Sequence, residues 1–217
     1  MRWFTCPQVN LLGACTCEPS LPTYILLEYC TFGDLKKFLC KHKDEFESRL
    51  KGVPGNYESP YTATLLLRWS YSIARGMDYL ARMKIMHGDL AARNVMVGEN
   101  YTAKISDFGL SKVIPYYNED YKKTQRKLIP WAWMATEYLK TGDFNIKSDV
   151  WSFGVVLWEI FTVGNRPYGI NPDYEAEKLK ILGGERLPEP ELAELMPWGR
   201  EVYREVITPC WQVMLPE

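Results

Sequence analysis

Long apolar runs are scarce in this sequence. The most hydrophobic stretch, Val150 to Val163, is interrupted by Ser152, Gly154 and Glu159. It falls short of the roughly 20 apolar residues that cross a bilayer and is expected to form a helix buried on most sides. The opening residues, Met1-Arg2-Trp3-Phe4-Thr5-Cys6-Pro7, lack the apolar core of a secretion signal. Any membrane anchor of the parent protein is therefore expected outside this chain. An excess of either charge is also missing, since 26 Lys and Arg stand against 27 Asp and Glu among 217 residues. That balance argues against nucleic acid or an anionic membrane as a partner held by bulk electrostatics. The six cysteines, at positions 6, 15, 17, 30, 40 and 210, contain no CxxC pair and no Cys/His cluster at zinc spacing. A sulfur metal site is thereby disfavoured, and the scatter suits free thiols in a reducing compartment. There is no internal repeat and no low-complexity tract. What is present is 47% hydrophobic and 14% aromatic residues, enough for a sizeable core in one domain, or in one large and one small.

Periodicity then places the elements. Tyr24-Ile25-Leu26-Leu27 follows the turn-rich Glu18-Pro19-Ser20-Leu21-Pro22 and predicts a strand. Gly33 and Asp34 open a helical stretch to about residue 46, and residues 47–61, rich in Gly, Pro, Asn and Ser, predict a loop. Leu66, Trp69, Ile73, Met77 and Leu80 fall at helical spacing and predict a helix over 63–83. Val95-Met96-Val97 and Tyr101 to Ser106 predict a hairpin around Gly98-Glu99-Asn100, which would bring Asn94 near Asp107. Further helices are expected around 147–163, 172–182 and 198–208, with Pro-rich connections at 188–197. A few strands followed by a run of helices gives an α+β fold.

The chemistry sits between those elements. Asp89 is followed five residues later by Asn94, and Asp107 stands beside Phe108-Gly109. Phosphoryl transfer needs a group to orient the attacking hydroxyl, oxygen ligands for Mg²⁺, and positioned phosphates. Asp89 can accept the hydroxyl proton, while Asn94 and Asp107 offer hard oxygens of the kind Mg²⁺ prefers. Each piece alone is a weak signal; an isolated Asp is more often a helix cap or a solvated side chain. The set is specific: H-x-D-L-A-A-R-N at 87–94, D-F-G at 107–109 and S-D-V-W-S-F-G at 148–154, in that order.

On these motifs the chain resembles the protein kinase family, and Leu90-Ala91-Ala92-Arg93-Asn94 resembles its tyrosine-specific branch. Asn10-Leu11-Leu12-Gly13-Ala14-Cys15-Thr16 and Glu28-Tyr29-Cys30-x-Phe32-Gly33-x-Leu35 are similar to receptors for platelet-derived and vascular endothelial growth factors. The resemblance implies a kinase-like fold, mainly the helical C-terminal lobe (31–217) with the hinge and last strands of the N-terminal lobe (1–30). It implies a short kinase insert at 47–61 and an activation segment at 107–137. It gives Asp89 as catalytic base, Arg93 as a residue positioning the substrate tyrosine, and Asn94 and Asp107 as Mg²⁺ ligands. Leu27, Glu28, Cys30 and Met96 would line the ATP site, although the sequence alone favours ordinary core packing for Leu27 and Met96. Pro130 and Trp133 would carry the substrate tyrosine; His87, Phe108, Glu137 and Asp149 would brace the site. Tyr121, ahead of Lys122, Lys123 and Arg126, is favoured for autophosphorylation, with Tyr117 and Tyr116 as further candidates. Tyr57 and Tyr61 are either docking sites for SH2-type adaptors or loop residues without a role. The implied setting is the cytoplasmic portion of a plasma-membrane receptor that dimerises and phosphorylates protein tyrosines with Mg-ATP.

Three departures stand out. Gly88 occupies the position of an Arg that in the family pairs with the activation-segment phosphate, so either the nearby basic residues replace it or loop phosphorylation matters less. Thr136 replaces the Pro of Ala-Pro-Glu. The Gly-rich phosphate loop, the strand Lys and the partner Glu of the family are not among these residues. The competing reading is a pseudokinase or a truncated, non-catalytic binding scaffold. The isolated 217-residue chain is expected to bind ATP weakly and to transfer phosphate negligibly. Titration of the purified chain with Mg-ATP checks this, and an affinity typical of complete kinases would refute it.

Overall fold

The computed structural model describes residues 7–15, 24–54, 59–108, 111–113, 130–142, 144–169 and 173–212. Two helices form its frame. The longer, α3 in chain order, runs Ala63–Arg82 and begins where the Thr62 hydroxyl accepts a bond from Leu65 N at 3.3 Å. Of the residues at predicted spacing, Leu66, Trp69, Ile73 and Leu80 are buried and Met77 is half-buried, and Leu65 joins the same face. The second, α5 (Ile146–Phe161), starts with a reciprocal cap: Asn145 Oδ1 accepts from Ser148 N at 3.2 Å and Ser148 Oγ accepts from Asn145 N at 3.1 Å. From Trp151 to Phe161 every α5 residue except Phe153 is buried. This matches the expectation of a helix covered on most sides, and α5 is the pillar of the hydrophobic core.

The stretch after Gly33 departs from expectation. Asp34 caps α1 (Leu35–Lys41) by accepting from Lys37 N at 2.8 Å; the helix breaks at His42 and a second helix, α2, runs Lys43–Leu50. Residues 47–50 of the expected insert loop are therefore helical. The cause is Phe46, wholly buried, together with Glu47 salt-bridged to Lys43 and Lys51 at 3.8 and 3.3 Å on consecutive turns. Tyr61 is also not a free loop residue. Its ring packs 4.6 Å from His42, 5.2 Å from Phe46 and 5.9 Å from Phe38, and burial pushes its hydroxyl pKa up. This packing ties the half-buried Tyr61 ring to α1 and α2. Tyr57 lies outside the described residues.

Three antiparallel strand pairs complete the described elements. The predicted hairpin is present as β4 (Val95–Gly98) and β5 (Thr102–Ile105), in register Val95↔Ile105 to Gly98↔Thr102. Residues 7–9 run beside β5, with Val9 N on Ile105 O and Ile105 N on Pro7 O, both at 2.8 Å. The strand at 24–27 is β2 (Tyr24–Leu27), paired with β1 (Leu11–Cys15). Ile85–Met86 (β3) pairs with Lys112–Val113 (β6), two-residue strands too short to show a period. Helix α4 (Thr136–Thr141) ends at Gly142, whose φ of 76° suits the left-handed cap. Helix α6 (Tyr174–Leu182) falls where expected, and α7 (Gly199–Val202) continues through a π-turn at Tyr203–Ile207 into α8 (Thr208–Cys210). The α+β expectation is met. No helix among the described residues is long and apolar enough to cross a membrane.

Helix α3 rests closely on β5 at Gly76, where an added Cβ would lie 2.5 Å from Ile105 Cδ1 and 3.3 Å from the Pro7 carbonyl oxygen. Gly76→Ala should cost about 1–3 kcal/mol through overpacking. Urea unfolding should show a lower midpoint with an unchanged slope.

Candidate active site

Backbone geometry brings the dispersed motifs together. Residues 87–94 cross from β3 to β4, and one buried carboxylate on α5 sets their start. Asp149 Oδ2 accepts from His87 N at 2.7 Å and Oδ1 accepts from Gly88 N at 3.0 Å. Burial pushes the Asp149 carboxyl pKa up, while those two N–H bonds and the neighbouring His87 pull against it. His87 is itself fully buried and ties three segments. Its Nε2 lies 3.0 Å from Ser106 O, and its Nδ1 accepts from Asp89 N at 3.3 Å, which places the proton on Nε2. The Phe108 ring lies 5.3 Å from the His87 ring. Gly88 takes φ 82°, a left-handed conformation that costs any residue with a Cβ about 1–2 kcal/mol.

Asp89 is half-buried and held on both carboxylate oxygens. Arg93 Nη2 donates to Oδ1 at 2.5 Å, and Asn94 Nδ2 donates to Oδ2 at 2.8 Å and to the Asp89 carbonyl at 2.6 Å. The carboxylate is thus aimed before any substrate arrives. The Asn94 amide nitrogen is spent on Asp89, so its Oδ1 is the oxygen it can offer to a cation. The hairpin does what its pattern predicts: Asn94 O accepts from Ser106 N at 2.9 Å and from Ser106 Oγ at 3.0 Å, setting Asp107 next to that register. Asp107 is exposed and has φ 58°, uncommon outside glycine. Among the described residues there is no cluster of three or more metal-ligating side chains. An amide oxygen and a carboxylate fit an ion that takes most of its ligands from phosphate and water, which is the habit of Mg²⁺.

The expected substrate platform lies beside this group. Pro130 leads into a 3₁₀ turn, Trp131–Trp133, closed by Trp133 N on Pro130 O at 3.0 Å. The Arg93 guanidinium sits 4.5 Å over the Trp133 ring. Glu137, at the start of α4, accepts from Ser148 Oγ at 3.4 Å. Tyr116, Tyr117, Tyr121, Lys122, Lys123 and Arg126 lie outside the described residues.

The expected nucleotide residues are more dispersed. Leu27, at the end of β2, is 49% exposed rather than packed in a core, Met96 is half-buried on β4, and Cys30 is buried. Glu28 has a role that its motif did not signal. Its carboxylate accepts from Asn10 N and Nδ2, both at 3.0 Å, and from Lys104 Nζ at 2.7 Å on each oxygen. Its own N–H donates to Asn10 O at 3.0 Å. Burial raises the Glu28 pKa, but the Lys104 and Asn10 bonds outweigh it and hold the carboxyl below its usual value. No short-range period links positions 10, 28 and 104, so the triad became visible only with β1, β2 and β5 assembled. A second such residue is Glu159 of α5, whose Oε2 accepts from Ala92 N and from Trp133 Nε1, both at 2.9 Å.

The family profile for protein tyrosine and serine/threonine kinases matches residues 1–216. The chain belongs to that family. Among similar proteins, fibroblast growth factor receptor 1 of Dugesia japonica is 39% identical over 206 residues, covering 94% of this chain and 22% of the relative. A fibroblast growth factor receptor of Strongylocentrotus purpuratus is 39% identical over 208 residues, with 94% and 20% covered. Fibroblast growth factor receptor homolog 1 of Drosophila melanogaster is 39% identical over 186 residues, with 84% and 25% covered. The chain thus spans about a fifth to a quarter of the length of these relatives. All three are fibroblast growth factor receptors. The receptor tyrosine kinase resemblance stands at that breadth, whereas the expected platelet-derived and vascular endothelial subgroup is not what these relatives represent.

Because the Glu28 pKa is lowered on folding, the stability it contributes is present above its ordinary value of 4.5 and is lost as pH falls below it. Glu28→Gln should flatten the acid limb of the stability curve. Urea midpoints measured downward from about pH 4.5 should fall more steeply in the unaltered protein than in the variant, and parallel curves would contradict this.

Proposed function

We propose that the protein carrying this chain is a receptor-type protein tyrosine kinase that moves the terminal phosphoryl group of Mg-ATP to a protein tyrosine. The observation that carries this reading is the two-sided grip on Asp89 by Arg93 and Asn94. It leaves a fixed carboxylate edge where an acceptor hydroxyl can donate its proton. Proton removal by a positioned base, in-line approach and charge neutralisation are what this transfer asks of a protein. Asp89 orients the tyrosine hydroxyl and accepts its proton. Arg93, stacked on Trp133, guides the phenol ring across Pro130 and Trp133. Asn94 Oδ1 and the Asp107 carboxylate would hold Mg²⁺, which would supply positive charge to offset that of the phosphates. Cys30 and Glu28 would meet adenine through their backbone, with Leu27 and Met96 closing that pocket. Tyr121 remains the favoured modification site.

A pseudokinase could dispense with the base and the metal ligands, yet this chain keeps Asp89, Asn94 and Asp107. The three relatives favour a fibroblast growth factor-type receptor at a plasma membrane. The motifs at 10–16 and 28–35 favour the platelet-derived and vascular endothelial type. On either reading the kinase portion would lie in the cytoplasm of a dimerising receptor, with SH2-type adaptors as its partners.

Asp89→Asn in the full-length protein should lower kcat by about 10²–10⁴-fold, the usual contribution of a general base, with ATP affinity little changed. Phosphate transfer to a tyrosine peptide, measured beside Mg-ATP binding, checks this. Equal kcat in the two proteins would overturn the assignment.

A further inference from the structure

Glu159 is 1% exposed in a helix segment otherwise made of Val, Leu, Trp, Ile and Phe. A carboxylate so placed is costly to desolvate, and the groups it holds have to offset that cost. Burial pushes its pKa up, against the bonds it accepts and the charges of Lys36 and Arg93. Its contacts join segments with different chemical tasks. Oε2 holds Ala92 N, in the loop that carries Asp89 and Arg93, and Trp133 Nε1, in the expected platform. Oε1 faces Lys36 Nζ at 3.6 Å, and Lys36 also donates to the carbonyls of Gly164 and Asn165, each at 2.8 Å.

A closed circuit results. Glu159 fixes Trp133, Trp133 carries the Arg93 guanidinium on its face, Arg93 follows Ala92 in the chain, and Ala92 returns to Glu159. An indole whose N–H donates to an anion has a more electron-rich face, which strengthens its hold on the guanidinium. The circuit reaches the proposed base through the Arg93 bond to Asp89 Oδ1.

We propose that Glu159 is a positioning residue for the transfer. With one oxygen it fixes the spacing between the Asp89 carboxylate and the surface that receives the acceptor tyrosine, and Lys36 aims the other. This rests on the kinase reading above and deepens it.

The test compares full-length wild-type protein with Glu159→Leu and Glu159→Gln, using Mg-ATP and a synthetic Glu/Tyr copolymer. Glu159→Gln, which keeps an acceptor oxygen, should melt near wild type, while Glu159→Leu should melt lower because the N–H groups of Ala92 and Trp133 lose their acceptor. The KM of Glu159→Leu for the copolymer should rise about tenfold while KM for ATP stays within about twofold, a split that general loss of structure would not produce. Hydrogen exchange of the Ala92 amide should become about tenfold faster in Glu159→Leu, and Lys36→Arg should retain wild-type KM where Lys36→Met does not. Unchanged copolymer KM with unchanged Ala92 exchange would overturn the proposal. Collapse of both Glu159 variants on heating would overturn it too, by making the residue merely structural. A wild-type protein that transfers no phosphate would instead sink the kinase reading, and Ala92 exchange would still decide whether Glu159 holds the loop.

Discussion

The bonds from the Asp149 carboxylate to the N–H groups of His87 and Gly88 are the constraint on which the rest of the site depends. They anchor an irregular loop to the most buried helix of the molecule. A loop of this kind has no ladder to satisfy its amides, and each buried N–H left unpaired would cost about 1–3 kcal/mol. Asp149 satisfies two at once. With them fixed, His87 can reach Ser106 on one side and Asp89 N on the other, so the end of β5, the loop and α5 are tied together.

The far end of the same loop is held by the same helix. Ala92 lies five residues after His87, and Glu159 lies ten residues after Asp149, roughly 15 Å along the helix axis. Five residues of extended chain reach about 17 Å at most. The loop is therefore held at both ends by carboxylates of one helix. Asp89 sits inside that span, where its orientation follows from the anchors and from Arg93 and Asn94 rather than from packing of its own.

Much of this was legible in the sequence, for reasons that differ by element. Helices α3 and α5 declare themselves because one buries a single face at regular spacing and the other nearly all faces. The β4–β5 hairpin shows because alternation and a short connection suffice to specify it. The boundary near residue 46 was missed because Phe46 caps no local pattern; its reason for being helical is the tertiary pocket that takes it in. Strands β3 and β6 hold two residues each, below the length at which any period is visible. Asp89, Asn94 and Asp107 could be named in advance because their spacing carries the chemistry. The side-chain partners of Glu28 and Glu159 could not, since they lie up to 76 residues away and only the assembled fold brings the groups together.

Gly88 shows how these constraints meet in one residue. Its φ of 82° is unfavourable for any side chain, yet the loop needs that turn so that two successive N–H groups can face Asp149. An arginine there, as the family resemblance leads one to expect, would accept backbone strain in exchange for a cation able to meet a phosphate. Glycine gives up the cation and sheds the strain. Among the described residues Asp89 then forms its ion pair with Arg93. Arg93 owes its place to the Trp133 ring and, through it, to Glu159. The ion pair of the proposed base is thereby linked, through Arg93 and Trp133, to the buried helix.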